Sequence, residues 1–174
     1  FRSADKATVA GVEIEIRKNL FVRPVSNAAH GMNKLSLGLN GSYIYTNAKM
    51  PLATVTTGSQ LEGAAPWIVN FDLSHNFTKG ERSFVNTLVL NYVSDKIYTI
   101  GTQGYQDVME QGVLILDFVS QAKLNKHLSL NLKARNLLNP SYKLSRKANE
   151  NGEKVILNDY KKGINISLGV SCTF

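Results

Sequence analysis

The side chains that most often carry chemistry are spread thinly through this chain. His30, His75 and His127 stand far apart, and none has a cysteine or carboxylate at metal-ligand spacing. Cys172 is the single cysteine, which excludes an internal disulfide and a CxxC metal site. Ser74 and His75 are adjacent, but neighbours on an extended strand point to opposite faces, so they cannot act as a nucleophile and its base. No GxSxG elbow or other ordered catalytic motif occurs. The expectation is a protein that is not an enzyme and that holds no cofactor and no metal. The formal charge of +7 raises nucleic acid as a partner, yet the basic residues are scattered and the aromatic spacing matches no RNA-binding module. A nucleic-acid partner is therefore not expected.

The elements that would position side chains follow a period of two rather than 3.6. Val12, Ile14 and Ile16 alternate with Glu13, Glu15 and Arg17. Leu35, Leu37, Leu39, Tyr43 and Tyr45 alternate with Ser36, Gly38, Asn40 and Ser42, and Val69, Phe71 and Leu73 with Asn70, Asp72 and Ser74. In the stretch 83–98, Leu88, Leu90 and Tyr92 share a face, while Val89 sits with Thr87 and Asn91. Asp117 settles the phase of 113–124, leaving Leu114, Leu116 and Phe118 apolar. Leu128, Leu130, Leu132 and Ala134 then oppose Ser129, Asn131, Lys133 and Arg135, and Ile164 to Phe174 alternates to the last residue. The reading is all-β, with seven strands and no helical stripe.

Total composition hides what such alternation means. The apolar fraction is 43% and the mean hydropathy −0.14, values ordinary for a soluble chain. A strand with one face in lipid and the other in water averages to the same figure. No stretch reaches the roughly 18 apolar residues of a spanning helix, the densest run being Val113 to Leu116. Connection lengths carry a second pattern. Reading back from the C-terminus, 139–162 is long, 124–127 tight, 97–112 long, 78–82 tight and 50–65 long, with 22–33 intermediate. Alternating short and long hairpin connections mark an outer-membrane barrel, turns on the periplasmic rim and loops outside. Asn151-Gly152 is a type I′ hairpin signal, which extends the last hairpin beyond the membrane. Tyr43, Tyr45, Trp67, Phe71, Tyr92 and Tyr98 lie towards strand ends, where amphipathic rings favour the interface. A soluble β-sandwich or lipocalin-like barrel also alternates. Its outer face is charged, however, whereas the polar faces here are mostly Ser, Asn, Thr and Gly.

Particular residues then resemble a known family. Asn136-Leu137-Leu138-Asn139-Pro140-Ser141-Tyr142 is similar to the NL(F/L)DxxY element near the C-terminus of TonB-dependent outer-membrane receptors, with Asn139 in place of the usual Asp. Tyr160, Gly163 and the run Ser167 to Phe174 resemble the closing strand of those receptors, particularly Bacteroidetes-type ones, with Cys172 where an aromatic or aliphatic residue is commoner. Ala10-Gly11-Val12-Glu13-Ile14-Glu15 resembles the GVE(L/I)E strand several hairpins earlier. The likeness covers essentially all of residues 1–174.

What the resemblance implies is a transmembrane antiparallel β-barrel of about 22 strands, of which this chain would supply the last seven. Phe174 with Val170, Leu168 and Ile166 would form the signal read by the barrel-assembly machinery, or would simply face lipid. Glu13, Glu15, Arg17, Asn40, Asp72, Asn91, Asp117, Lys133 and Arg135 would face the lumen, either bonding a plug domain or only solvating the interior. Because seven strands cannot close a barrel, the chain is expected to be a C-terminal fragment nicked in an extracellular loop, with residues 1–7 outside the cell and the plug and earlier strands on a separate chain. The implied function is TonB-energised uptake of a nutrient ligand across the bacterial outer membrane, with the energy-coupling protein, membrane lipid and a surface lid lipoprotein as partners. The alternatives are a non-energised porin, a structural subunit of an outer-membrane complex, or a soluble β-barrel binding domain. In the loop 139–162, Lys143, Arg146, Lys147, Lys154, Lys161 and Lys162 outnumber Glu150, Glu153 and Asp159, which suits either an acidic ligand, lipopolysaccharide phosphates or solvent.

Overall fold

A computed structural model of the 174-residue chain describes residues 6–25, 31–49, 60–101, 105–148 and 153–174. His30, Glu150, Asn151-Gly152, most of the connection 50–65 and residues 1–5 lie outside these ranges. Eleven strands are present among the described residues and no helix. They are β1 (Lys6–Pro24), β2 (Met32–Lys49), β3 (Trp67–Lys79), β4 (Arg82–Val93), β5 (Lys96–Thr99), β6 (Val108–Glu110), β7 (Val113–Lys123), β8 (Leu128–Arg135), β9 (Ser141–Lys147), β10 (Lys154–Lys161) and β11 (Asn165–Cys172).

Seven of them form one antiparallel sheet in the order β1-β2-β3-β4-β7-β8-β11. These are the seven alternating runs, each paired with its predecessor. The remaining four form a second antiparallel sheet, β5-β6-β9-β10. Its order repeats that of β4-β7-β8-β11, so each of those strands resumes as a short strand after an interruption. The expected seven strands are those of the first sheet, and among the described residues the second adds four shorter ones. The connections 97–112 and 139–162 are strand-bearing hairpins, as the extension of the last one anticipated.

The interruptions have local causes. The run 83–98 breaks at Ser94 and Asp95, where side chains take over ladder positions. Ser94 Oγ accepts from the Trp67 amide at 3.0 Å, and Asp95 Oδ1 accepts from the Gly112 amide at 2.6 Å. The run 127–138 stops at Arg135, because Asn136 (φ 58°) and Asn139 (φ 44°) enter the left-handed region that asparagine tolerates better than most residues. On the opposite rim the turns are tight. Gly80 (φ 60°) joins β3 to β4, and Asn125 Oδ1 accepts from the amides of His127 and Leu128 at 2.8 and 2.9 Å to join β7 to β8.

The register locks the alternation into two faces, because directly opposed residues share a side. One rung runs Ile16, Leu39, Phe71, Leu90, Leu116, and another joins Leu37, Leu73, Leu88, Phe118, Ala134 and Ile166. The opposite face carries Glu15, Asn40, Asn70 and Asn91 on one rung and Arg17, Gly38, Asp72, Val89 and Asp117 on the next. Among the described residues no element packs across the apolar face. Among the described residues the only buried apolar side chains are Ala48, Ala65, Ile97, Ala134 and Tyr142, whereas Ile14, Leu168 and Val170 are 62%, 72% and 62% exposed. The strands are held by their ladders, not by a core.

The β3–β4 hairpin depends on the left-handed conformation of Gly80. Gly80→Ala is expected to lower stability by about 1 kcal/mol, read as a lower denaturant midpoint at unchanged slope.

Candidate functional site

The polar face is where the charged residues expected to face the lumen converge. Asn40 Nδ2 donates to Glu13 Oε1 at 2.6 Å, and Asn70 Nδ2 donates to Asn40 Oδ1 at 3.2 Å, chaining β1, β2 and β3. Arg17 pairs with Glu15 along the same face of β1. Below them Ser36 Oγ donates to Asn19 Oδ1 at 3.0 Å, and the Ser74 and Thr87 hydroxyls meet at 3.2 Å. Glu13, Glu15, Arg17, Asn40, Asp72, Asn91 and Asp117 thus lie within three successive rungs. Lys133 and Arg135 share the face but stand on β8, opposite Ser167 and Asn165 of β11.

Gly38 shapes this array. It lies between Arg17 and Asp72 on their common rung. A Cβ built there would sit 2.1 Å from Asp72 Oδ1, so the carboxylate leans over the space the glycine leaves. The sequence marked Asp72 but gave no sign that Gly38 makes room for it.

The Asn136–Tyr142 element turns out to be a latch. The Asn136 amide donates to Asp117 Oδ1 at 2.8 Å, and its Nδ2 donates to the Gly163 carbonyl at 2.6 Å. The Gly163 amide (φ 80°) donates to Asn139 Oδ1 at 3.0 Å, and the Leu137 amide bonds the Leu116 carbonyl at 2.8 Å. The β8–β9 break is thereby tied to both the β10–β11 break and β7. Asp117, marked for the polar face, spends one carboxylate oxygen on this backbone. Leu138 remains 47% exposed. Tyr142 is buried and stacks on Tyr160, centroids 5.4 Å apart, with Lys162 Nζ 3.9 Å from its ring centre.

On the apolar face, rings cluster at both ends. Tyr43 and Trp67 lie 4.5 Å apart at one end, and Phe77 and Phe84 lie 6.3 Å apart at the other. Gly41, having no side chain, leaves an apolar hollow of about 460 Å³ between Ile14, Leu39, Tyr43, Trp67 and Val69. Polar groups on this face, none of them evident from alternation alone, are paired. His75 Nε2 and Asn33 Oδ1 are 2.8 Å apart, and Ser120 Oγ donates to Asn86 Oδ1 at 2.7 Å. Lys18 also falls on this side, opposite Leu37. Ser74 and His75 belong to opposite faces, on the rungs of Thr87 and Asn86 respectively. No group of three potential metal ligands occurs among the described residues. Ile166, Leu168 and Val170 project from β11 opposite Ala134, Leu132 and Leu130, while Phe174 lies two residues beyond the strand.

Two small cavities open in the second sheet. One, of about 130 Å³, is lined by Tyr98, Glu110, Tyr142, Leu144 and Tyr160. The other, of about 330 Å³, is lined by Asp95, Asp107, Ser145, Arg146, Lys147 and Lys154.

The family model described as TonB dependent receptor-like, beta-barrel matches residues 1–137. No curated protein and no solved structure matches the chain.

The Gly38–Asp72 arrangement has a measurable consequence. The atoms that a Cβ at position 38 would meet all belong to the end of the flexible Asp72 side chain, so Gly38→Ala is expected to swing the carboxylate aside at a cost of no more than about 1 kcal/mol. In a double-mutant cycle with Asp72→Ala, read by urea unfolding, the coupling should stay below about 1 kcal/mol.

Proposed function

The chain belongs to the TonB-dependent receptor-like β-barrel family, and from that membership we propose that it forms part of the wall of an outer-membrane receptor that imports a nutrient ligand. The observation that carries this reading is the pairing of an uncovered apolar face with a hydrogen-bonded polar one on the same seven-stranded sheet. In water that face would far exceed the few hundred Å² of contiguous apolar surface that soluble monomers expose. In lipid it needs no cover. Trp67 and Phe77 are ten residues apart on β3. At about 3.3 Å per residue and a tilt near 45° they are separated by about 23 Å along the membrane normal, close to the apolar band of a transmembrane barrel.

On this reading Tyr43, Trp67 and Tyr92 belong to one aromatic girdle and Phe77 and Phe84 to the other. The His75–Asn33 and Ser120–Asn86 pairs satisfy these polar groups against one another where hydrocarbon offers no partner. Ile166, Leu168, Val170 and Phe174 serve as the lipid-facing assembly signal. Glu13, Glu15, Arg17, Asn40, Asp72, Asn91, Asp117, Lys133 and Arg135 line the lumen, where a plug domain would meet them. The second sheet rises above the membrane on the extracellular side.

The free edges of β1 and β11 imply further strands. Each borders the sheet on one side only, and an open edge cannot persist in hydrocarbon. Seven strands fall short of the smallest closed barrel, so the rest of the wall, the plug and the TonB-type coupling protein are the expected partners. The pull on the plug supplies the energy of import, and this segment acts as the rigid wall against which the plug moves.

The reading is tested on the intact receptor in its outer membrane. Detergent should be required to extract it, and release by salt alone would refute the assignment. The two faces separate the membrane reading from a soluble one. Leu73→Arg, on the apolar face, should cost about 2–4 kcal/mol in urea-titrated refolding into phospholipid vesicles, and Ser74→Arg about 1 kcal/mol or less. A water-soluble sheet with its core on the polar side would reverse that order.

A further inference from the structure

Next to the Gly80 turn the apolar face changes character. Four successive direct pairs of β3 and β4 lie on that face, Leu73–Leu88, His75–Asn86, Phe77–Phe84 and Lys79–Arg82. Like meets like on each rung, in the order apolar, polar, aromatic, cationic. The last pair stands out, because like charges facing each other across a ladder are destabilising. Both side chains are exposed, and neither has an ion pair among the described residues.

The surroundings do not neutralise them. Residues 18–36, 73–86 and 118–130, which make up this end of the sheet, hold one carboxylate, Glu81. It is drawn sideways to Lys126 in the β7–β8 turn, 3.2 Å away. Arg23, opposite Asn33 on the same face, extends the cationic edge to β1. Lys34 and Lys123 belong to the polar face, opposite Asn76 and Ser83. One rung inward, the His75–Asn33 and Ser120–Asn86 bonds engage the asparagine oxygens. The Nδ2 donors of Asn33 and Asn86 have no further partner among the described residues.

We propose that this end of the sheet seats an anionic phospholipid of the periplasmic leaflet. The proposal rests on the outer-membrane reading and deepens it by naming a lipid partner. Lys79 and Arg82 hold the phosphate, which turns a repulsive rung into two charge-assisted hydrogen bonds. The amide donors of Asn33 and Asn86 meet the ester oxygens, and an acyl chain runs past Phe77 and Phe84 towards Leu73 and Leu88. Depth agrees with this order. Two residues beyond the phenylalanines, at about 3.3 Å per residue and a tilt near 45°, put the cations about 5 Å outside the apolar band. A soluble anion would have no use for the apolar and amide rungs, whereas a lipid meets every one of them.

The test titrates the intact receptor, in neutral detergent, into phosphatidylglycerol carrying a fluorescent acyl chain, and reads anisotropy. Saturable binding that weakens with ionic strength is expected. Lys79→Gln with Arg82→Gln removes the repulsion, so it should fold at least as well, yet it should weaken binding about tenfold or more. The control is Lys147→Gln with Lys154→Gln, a directly opposed cation pair of the second sheet, which should change binding by no more than about twofold. Unlabelled phosphatidylglycerol should displace the probe at least about tenfold better than phosphatidylcholine or glycerol phosphate. Displacement by glycerol phosphate as strong as by the lipid would make this a soluble-phosphate site and overturn the lipid seat. Equal binding by wild type and the Lys79→Gln, Arg82→Gln variant, or equal displacement by the two lipids, would overturn it too. The outer-membrane reading fails separately, through release of the wild-type receptor from its membrane by salt alone.

Discussion

The lateral hydrogen-bond ladder is the constraint on which everything else in this chain depends. With no helix, no fully buried large side chain and no disulfide among the described residues, the antiparallel pairing of seven strands is what holds the sheet together. A ladder in water is a poor foundation, because water competes for every amide. In hydrocarbon that competition disappears, and an unpaired backbone group costs several kcal/mol. On the proposed outer-membrane reading, the lipid that leaves Leu168 and Val170 uncovered also makes the ladder strong.

That constraint explains how breaks are handled. Each departure from regular pairing between the two sheets supplies substitute partners. Ser94 trades bonds with Trp67, Asp95 serves Gly112, Asp117 serves Asn136, and Asn136 and Asn139 bond the two polar groups of Gly163. Substitution of side chain for backbone lets four strands change direction at the rim without leaving bare amides. One buried atom at this junction, Asn136 Oδ1, has no partner among the described residues. The second sheet then stands on a support whose geometry is set by the strands beneath it.

Much of this was legible in the residues themselves. Alternation placed Ile16, Leu39, Phe71, Leu90 and Leu116 together, and the register joins them on one rung. It also grouped the nine charged and amide residues of the opposite face. What escaped it were features that depend on two distant positions at once. Gly38 reads as a neutral gap until Asp72, 34 positions on, leans over it. His75 and Ser120 read as flaws in an apolar stripe until Asn33 and Asn86 pair with them. The hairpin within 97–112 was read as a loop because strands of three and four residues are too short to show a period, whereas the last hairpin, with strands of seven and eight residues, was anticipated from Asn151-Gly152.

The sequence by itself determined which face of each strand is apolar, because successive side chains of an extended chain alternate wherever no bulge intervenes, as one does at Leu20. It determined too that no spanning helix and no CxxC site exists. Only the tertiary structure decided which rung meets which, that the second sheet repeats the order of the first, and that Lys147 confronts Lys154. Register is a relation between strands, set by turns, bulges and breaks such as those at Leu20, Gly80 and Asn136. One residue more or less in any of them would bring different partners together.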